Sequence, residues 1–262
     1  MTVVAYQGHA GAFSDVAARA LVAGAQTRGY PSFDSAAAAA DDGTADFVAL
    51  PIENAIAGPI PRNYEILWER PSLHVCGETV IPVELCLVGA PGATLETIRE
   101  VRSHPVALDQ VRRFIDAHDG WRRSTSTDTA GAIDEIVTLG DPALAAIGPA
   151  LAAELYGGTI LARGVEDEPD NATRFFLAGR TQSGGGTRAC VGFELADRPG
   201  SLRDALGAFA DRAIDLRMLI ARPDRRQKFR YRFFVELDGV DDARLRDALA
   251  AIGGESRVLG RY

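Results

Sequence analysis

The chain has 262 residues, 47% of them hydrophobic and 24% charged, with a formal charge of −8. That is enough for one or two globular domains with an ample core, and the negative balance argues against a general nucleic-acid binder. Its 28 basic residues are 27 arginines and one lysine, Lys228. Lys228 sits in the charged run 225–228 and reads as an exposed turn. This excludes lysine Schiff-base and PLP chemistry and a Walker A nucleotide site.

In chain order, residues 2–6 read as a buried strand that enters the turn Gly8-x-x-Gly11. An alanine-rich helix follows over 15–23, with Ser14 as its N-cap. A second alanine-rich helix covers 35–41, and Phe47–Leu50 is a short buried strand meeting Pro51-Ile52-Glu53-Asn54. A helix is expected over 62–68, then strands within 73–88 around Gly77, then a helix over 107–117 after Ser103-His104-Pro105. The polar run 124–131 opens another helix. Residues 141–148 give a strand and turn before a helix to Tyr156, and Arg174–Ala178 is a strand.

Alternating strands and helices imply an α/β fold with largely parallel strands. The stretches 76–88 and 160–178 suit crossings between two lobes, hence a bilobal domain with a cleft over 1–179. Residues 180–188 are Gly/Ser-rich and read as a linker. Residues 189–262 then follow the order βαββαβ, the α+β ferredoxin-like arrangement. Charge also separates the two parts. From Thr187 onward 15 basic residues meet 12 acidic ones, a balance of +3, whereas the preceding residues carry −11. The basic tail reads as an anion-sensing or solvated arginine face rather than a nucleic-acid surface.

Three cysteines, Cys76, Cys86 and Cys190, include no CxxC pair and fit reduced thiols in a cytoplasmic protein. The start of the chain has no signal-peptide pattern, and no run of about 18 apolar residues suggests a membrane span. The four histidines, at 9, 74, 104 and 118, lack metal-ligand spacing, so no metal is expected.

Four loops stand where strands give way to helices, the position that lines ligand clefts in open α/β sheets. Gly8–Ser14 offers backbone amides at a helix N-terminus to an anion, or is simply a tight turn. Asn54 follows a buried strand and is a ligand contact or an Asx turn. Ser103-His104-Pro105 and 124–129 are site loops or plain helix starts. At the acidic turn 166–171, Thr173 and Arg174 enter a strand. The threonine is a β-former or a hydrogen-bond donor to a departing hydroxyl.

In order, these motifs resemble prephenate dehydratase with its C-terminal ACT regulatory domain. The resemblance rests on Gly8-x-x-Gly11-Ala12-Phe13-Ser14, Pro51-Ile52-Glu53-Asn54-x-x-x-Gly58, Ser103-His104-Pro105, Thr129-Ala130-Gly131-Ala132, Ala145-Ala146-Ile147 and Asn171-x-Thr173-Arg174-Phe175. In the tail, Asp197-Arg198-Pro199-Gly200-Ser201-Leu202 and Ala221-Arg222-Pro223 are similar to the two ACT effector motifs.

The resemblance implies a periplasmic-binding-protein-like catalytic domain and a cofactor-free lyase that turns prephenate into phenylpyruvate, water and carbon dioxide for L-phenylalanine biosynthesis. It assigns catalysis to Thr173. Substrate contacts fall to Gly11, Ala12, Phe13, Ser14, Asn54, Ser103 and Arg174, with Arg174 binding a carboxylate or holding its strand by a salt bridge. Effector contacts fall to Asp197, Pro199, Gly200, Ser201, Leu202, Ala221, Arg222 and Pro223. L-phenylalanine is the implied effector and a homodimer or homotetramer the implied assembly.

The chain departs from the family at Ala12, where threonine is usual, at Ala55 (serine) and at Val106 (glutamine). Glu84 stands near a usual histidine, and Ile220-Ala221-Arg222-Pro223 lacks the Glu-Ser pair of the second effector motif. These changes leave two alternatives: a non-aromatising prephenate decarboxylase that keeps the hydroxyl, and a non-catalytic small-molecule sensor.

Overall fold

The computed structural model describes residues 1–182, 185–224 and 228–262. Ser183 and Gly184 of the expected linker, and Arg225, Arg226 and Gln227 of the charged run, lie outside the described residues. Lys228 is described and exposed. The chain forms two compact units: residues 1–59 with 79–175, and residues 60–78 with 176–262.

The first unit opens with β1 (Val3–Gln7), α1 (Phe13–Leu21), β2 (Gln26–Tyr30), α2 (Phe33–Asp42), β3 (Phe47–Asn54) and β4 (Gly58–Pro59). The chain then passes through α3 (Pro61–Glu69) and β5 (His74–Pro82). Next come β6 (Cys86–Gly89), β7 (Glu100–Ser103), α4 (Pro105–Gln110), α5 (Arg112–Asp116), β8 (Arg122–Thr125) and α6 (Thr129–Leu139). The unit ends with β9 (Leu144–Gly148), α7 (Ala150–Tyr156), β10 (Thr159–Arg163) and the first part of β11 (Ala172–Gly179). One sheet runs β11-β3-β1-β2, and a second runs β10-β6-β9-β7-β8. The chain changes sheet twice, between β5 and β6 and between β10 and β11, where the two crossings were expected.

Burial explains the second sheet. Leu85, Leu87, Val101, Ala145 and Ile147 enter one apolar cluster. Their neighbours Cys86, Val88, Leu144 and Ala146 enter another, with Ile133 and Ile136 of α6. Alternate residues therefore face opposite cores, as expected of a sheet covered by helices on both sides.

Three differences from the sequence reading have local causes. Strand β2 pairs with β1 residue for residue from Val3↔Gln26 to Gln7↔Tyr30. It is polar and mostly exposed, so no apolar alternation marks it. The helix expected over 107–117 breaks at Val111, whose φ of −121° and ψ of 24° divide it into α4 and α5. Helix α1 starts at Phe13 with Ala12 as N-cap, not at Asp15 with Ser14 as cap. No side chain caps from Ala12. The carboxylate of Asp15 instead accepts from the Gly11 amide at 2.8 Å and pairs with Arg19 at 2.9 Å.

The second unit contains β12 (Ala189–Glu194), α8 (Ser201–Ala210), β13 (Asp215–Pro223), β14 (Tyr231–Asp238), α9 (Asp242–Ile252) and β15 (Ser256–Arg261). This is the expected βαββαβ order. Its sheet runs β13-β14-β12-β15-β5, over a core that includes Val191, Phe193, Phe209, Val235 and Leu245.

Helix α3 also belongs to this unit. Tyr64 lies 5.9 Å from Phe234, ring centre to ring centre, and donates to Glu236 at 2.5 Å. Gly192 leaves the space that Trp68 occupies, since a Cβ there would lie 2.6 Å from its ring. Arg257 donates to the carbonyls of Leu67 at 2.6 Å and Trp68 at 2.9 Å, capping the open C-terminal end of α3.

Candidate active site

In the first unit, loops from both sheets meet. His9, in the β1–α1 loop, hydrogen bonds through Nδ1 to the Asp128 carboxylate. Asp128 also N-caps α6, accepting from Gly131 N–H at 2.6 Å. Gly11 has φ of +82°, and a Cβ on it would approach the Ala152 Cα of α7 to 2.6 Å. So the turn needs glycine twice over, for its left-handed backbone and for its closeness to α7.

The second focus is where β3 ends and β11 begins. Asn54 Oδ1 accepts from the amides of Ile56 at 3.1 Å and Ala57 at 2.9 Å. That is the Asx turn weighed from the sequence. The other end of the same amide reaches across. Asn54 Nδ2 donates to Asn171 Oδ1 at 2.8 Å, to Thr173 Oγ1 at 3.0 Å and to the Ala172 carbonyl at 3.2 Å. Asn54 thus serves both the turn and the threonine. Thr173 Oγ1 accepts from Asn54, and among the described residues its own O–H proton has no acceptor. A hydrogen bond donated to that oxygen stabilises the negative charge that builds as the hydroxyl gives its proton away.

Strand alternation sorts the neighbours of Thr173. Phe175, two residues on and therefore on the same face, packs with Ala17 of α1 and Ile81, and Phe13 lies against that cluster. The first turn of α1 is thus on the Thr173 side of the sheet. Of the amides expected to hold an anion, that of Gly11 is taken by Asp15 and that of Ala12 by the His9 carbonyl at 3.1 Å. Those of Phe13 and Ser14 have no partner among the described residues and remain for a ligand. Ala12 is buried in an apolar cluster with Ala130, Ala152 and Ile133.

Arg174 points to the opposite face from Thr173 and donates to Glu53 Oε2 at 3.0 Å. The geometry therefore gives it the strand-holding role rather than the carboxylate-binding one. Ser103 is fully buried, and its hydroxyl donates to the Ile147 carbonyl at 2.7 Å. It ties β7 to β9 and is not presented to a ligand, which removes it from the substrate contacts expected of it.

A cavity of about 570 Å³ adjoins the Asn54 network, with Ile56, Ala57, Val106, Gln110 and Asn171 in its wall. Asn171 belongs to a motif noted in the sequence, but nothing there singled it out as a site residue. Its burial to 2% exposure and its bond to Asn54 do so here. The acidic turn lies on the same cavity and is tied to Leu85 and Arg113. Glu166 accepts from Leu85 N–H at 2.8 Å, and Glu168 pairs with Arg113 at 3.1 Å. Asp167 accepts from the Arg113 amide at 3.1 Å.

Burial pushes the Cys76 thiol up to about 11 and raises that of Cys86, so neither is a thiolate nucleophile at neutral pH. Among the described residues no group of three or more His, Cys, Asp or Glu could hold a metal ion, and no helix is long and apolar enough to cross a membrane.

In the second unit, the two effector-motif segments lie at one end of the sheet. Pro223 pairs with Tyr231, and Glu194 pairs with Arg232. Gly200, at φ of +86°, N-caps α8. Ser201 Oγ donates to the Ala196 carbonyl at 2.6 Å, and Asp197 lies 3.6 Å from Arg230. Arg222 donates to Glu65 of α3 at 2.7 Å. Ala221 is exposed on the edge strand β13.

Gly11→Ala is expected to cost about 1–3 kcal/mol of stability, since the backbone strain and the approach to Ala152 cannot both be relieved locally. Urea denaturation measures this, and an unchanged midpoint contradicts the packing argument.

Residues 4–183 match the family model for prephenate dehydratase, and residues 191–254 match the ACT domain. A bifunctional N-acyl-homoserine lactone acylase/prephenate dehydratase of Komagataeibacter europaeus is 35% identical, over 99% of this chain and 95% of that protein. Arogenate dehydratase/prephenate dehydratase 1 of Arabidopsis thaliana is 34% identical, over 99% of this chain and 71% of that protein. The crystal structure of prephenate dehydratase from Arthrobacter aurescens in complex with L-Phe superimposes with a TM-score of 0.88 at 28% identity, covering 99% of this chain and 89% of that one. The chain belongs to the prephenate dehydratase family of lyases, and carries an ACT domain behind its catalytic part.

Proposed function

We propose that this chain converts prephenate to phenylpyruvate, as a cytoplasmic enzyme of L-phenylalanine biosynthesis. The observation that carries the reading is the hydrogen bond from Asn54 Nδ2 to Thr173 Oγ1, which leaves the threonine proton to be given away. In the proposed reaction the bond from the ring to its carboxylate breaks and releases carbon dioxide. The electron pair moves into the ring, and the ring hydroxyl departs with a proton drawn from Thr173, leaving as water. Aromatisation supplies the driving force. Threonine is a poor acid in bulk water, so its usefulness depends on the Asn54 donor that stabilises the charge left on Oγ1. The amides of Phe13 and Ser14, at the positive end of α1, are assigned to a substrate carboxylate. Gly11 and Ala12 shape that turn, and Arg174 with Glu53 holds β11 against β3.

A second reading rests on the departures Ala12, Ala55, Glu84 and Val106. Of these Val106 lines the cavity, an apolar side chain where the family usually places glutamine, which suits decarboxylation that keeps the hydroxyl. Incubation with prephenate separates the readings. Phenylpyruvate, read by absorbance and mass, is the expected product. A dihydro-hydroxyphenylpyruvate supports the decarboxylase, and binding without turnover supports a sensor. Because relatives are named arogenate dehydratases, arogenate is the control substrate. Thr173→Ala is expected to leave the melting temperature unchanged and to lower kcat by about 10²–10⁴-fold. Turnover near that of the unaltered protein overturns the assignment.

We further propose that the 189–262 part, joined through 180–188, binds L-phenylalanine at Asp197, Pro199–Leu202 and Ala221–Pro223. The edge strand β13, with Ala221 and Leu219 exposed, offers a pairing surface for a homodimer or homotetramer. Titration with L-phenylalanine is expected to lower the rate of prephenate turnover. No response at millimolar effector contradicts feedback control through the altered Ile220–Pro223 segment.

A further inference from the structure

The hydrogen-bond pattern around Asn54 leaves one donor unaccounted for. The backbone amides of Ile56 and Ala57 both point at one end of the Asn54 amide, which must therefore be its oxygen. The other end is the NH₂ group, so the Asn171 atom it meets at 2.8 Å must be Oδ1. This fixes the Asn171 amide in turn. Its Nδ2 is buried and has no partner among the described residues. A buried NH₂ without an acceptor costs about 1–3 kcal/mol, and such a group calls for an explanation in the site itself.

Flipping Asn171 offers no relief, because two NH₂ groups would then face each other. The side chain is 2% exposed and lies in the wall of the cavity of about 570 Å³. Asn171 is two residues before Thr173, and both meet the same Asn54 nitrogen.

We propose that Asn171 Nδ2 donates a hydrogen bond to the substrate oxygen that departs beside Thr173. Asn171 and Thr173 thus form a two-donor site for the leaving hydroxyl, oriented by a single amide. The inference rests on the dehydratase reading above and adds to it a second donor at the reacting atom. As the C–O bond breaks, negative charge gathers on that oxygen, and Asn171 binds it more tightly in the transition state than in the ground state. Its contribution therefore appears in kcat rather than KM.

Two variants separate this from a structural or purely electrostatic effect. Asn171→Asp keeps an acceptor for Asn54 but removes the donor. Asn171→Ala removes both without adding charge. Both are expected to lower kcat for prephenate by about 10²-fold, with KM within a few-fold and the melting temperature of the aspartate variant preserved. If Asn171 only braces Asn54, the aspartate variant keeps the original kcat. If added charge alone matters, the alanine variant keeps it. Either result overturns the inference, and each variant can overturn it alone should the other fail to fold. Turnover by the unaltered protein with an unimpaired variant overturns this inference and leaves the dehydratase reading standing. Absence of any turnover by the unaltered protein overturns both.

Discussion

The side-chain amide of Asn54 is the constraint on which the candidate site depends. Its oxygen closes the turn after β3, and its nitrogen holds the Asn171 side-chain oxygen Oδ1 and the Thr173 hydroxyl at the start of β11. No other side-chain type does both. An aspartate would lack the donor and a threonine the reach, while a glutamine would add a rotatable bond to a fixed geometry. The two strands can offer these groups to one amide because the chain returns from the second sheet beside β3. The Ala55 amide then bonds to the Ala172 carbonyl at 2.8 Å. The returning segment is itself tied to the outgoing one, since Val83 N–H donates to the Asn171 carbonyl at 2.9 Å and Val165 N–H to the Leu85 carbonyl at 3.1 Å. Orientation of the reacting threonine is therefore a property of the crossings as much as of the strand that carries it.

The opposite face of the same strands does different work. Glu53 and Arg174, each one residue away from the Asn54–Thr173 pair, form an ion pair on the far side. Alternation along a strand separates chemistry from support at each step of one residue. It also explains why adjacency in sequence is a poor guide to a shared pocket. Thr173 and Arg174 read naturally as a pair of site residues, yet the pleat puts them back to back.

What the sequence made legible was whatever has a strong local signal. The buried run Phe47–Leu50, the alanine helices and the order of the last six elements could be read from apolar periodicity and turn residues. Strands β2, β7 and β8 could not, because they are short and polar and gain their pairing from neighbours distant in sequence. The break at Val111 and the start of α1 at Phe13 were likewise hidden. The first is a change of backbone angles at the buried Val111, and the second is set by Asp15 reaching back to the Gly11 amide. Among site residues, Thr173 and Asn54 stood out by motif. Ser103 carried an equal motif signal but is spent on the Ile147 carbonyl. Asn171 is the reverse case, a residue whose role emerges only from which end of an amide faces which. Helix α3 shows the same limit at a larger scale. Its sequence lies between elements of the catalytic part, yet Tyr64, Trp68 and Glu65 are held by Glu236, Phe234 and Arg222 in the second unit.

The central claim is that Asn54 acts on the chemistry through Thr173 rather than beside it. A double-mutant cycle in kcat for prephenate, with Asn54→Ala, Thr173→Ala and the two combined, tests it most directly. If Asn54 works by orienting and polarising the threonine hydroxyl, its removal costs much less once that hydroxyl is gone, leaving only its hold on Asn171. The combined variant is then far less impaired than the product of the two single losses. Losses that multiply would mean that the two residues act independently, and would contradict the account.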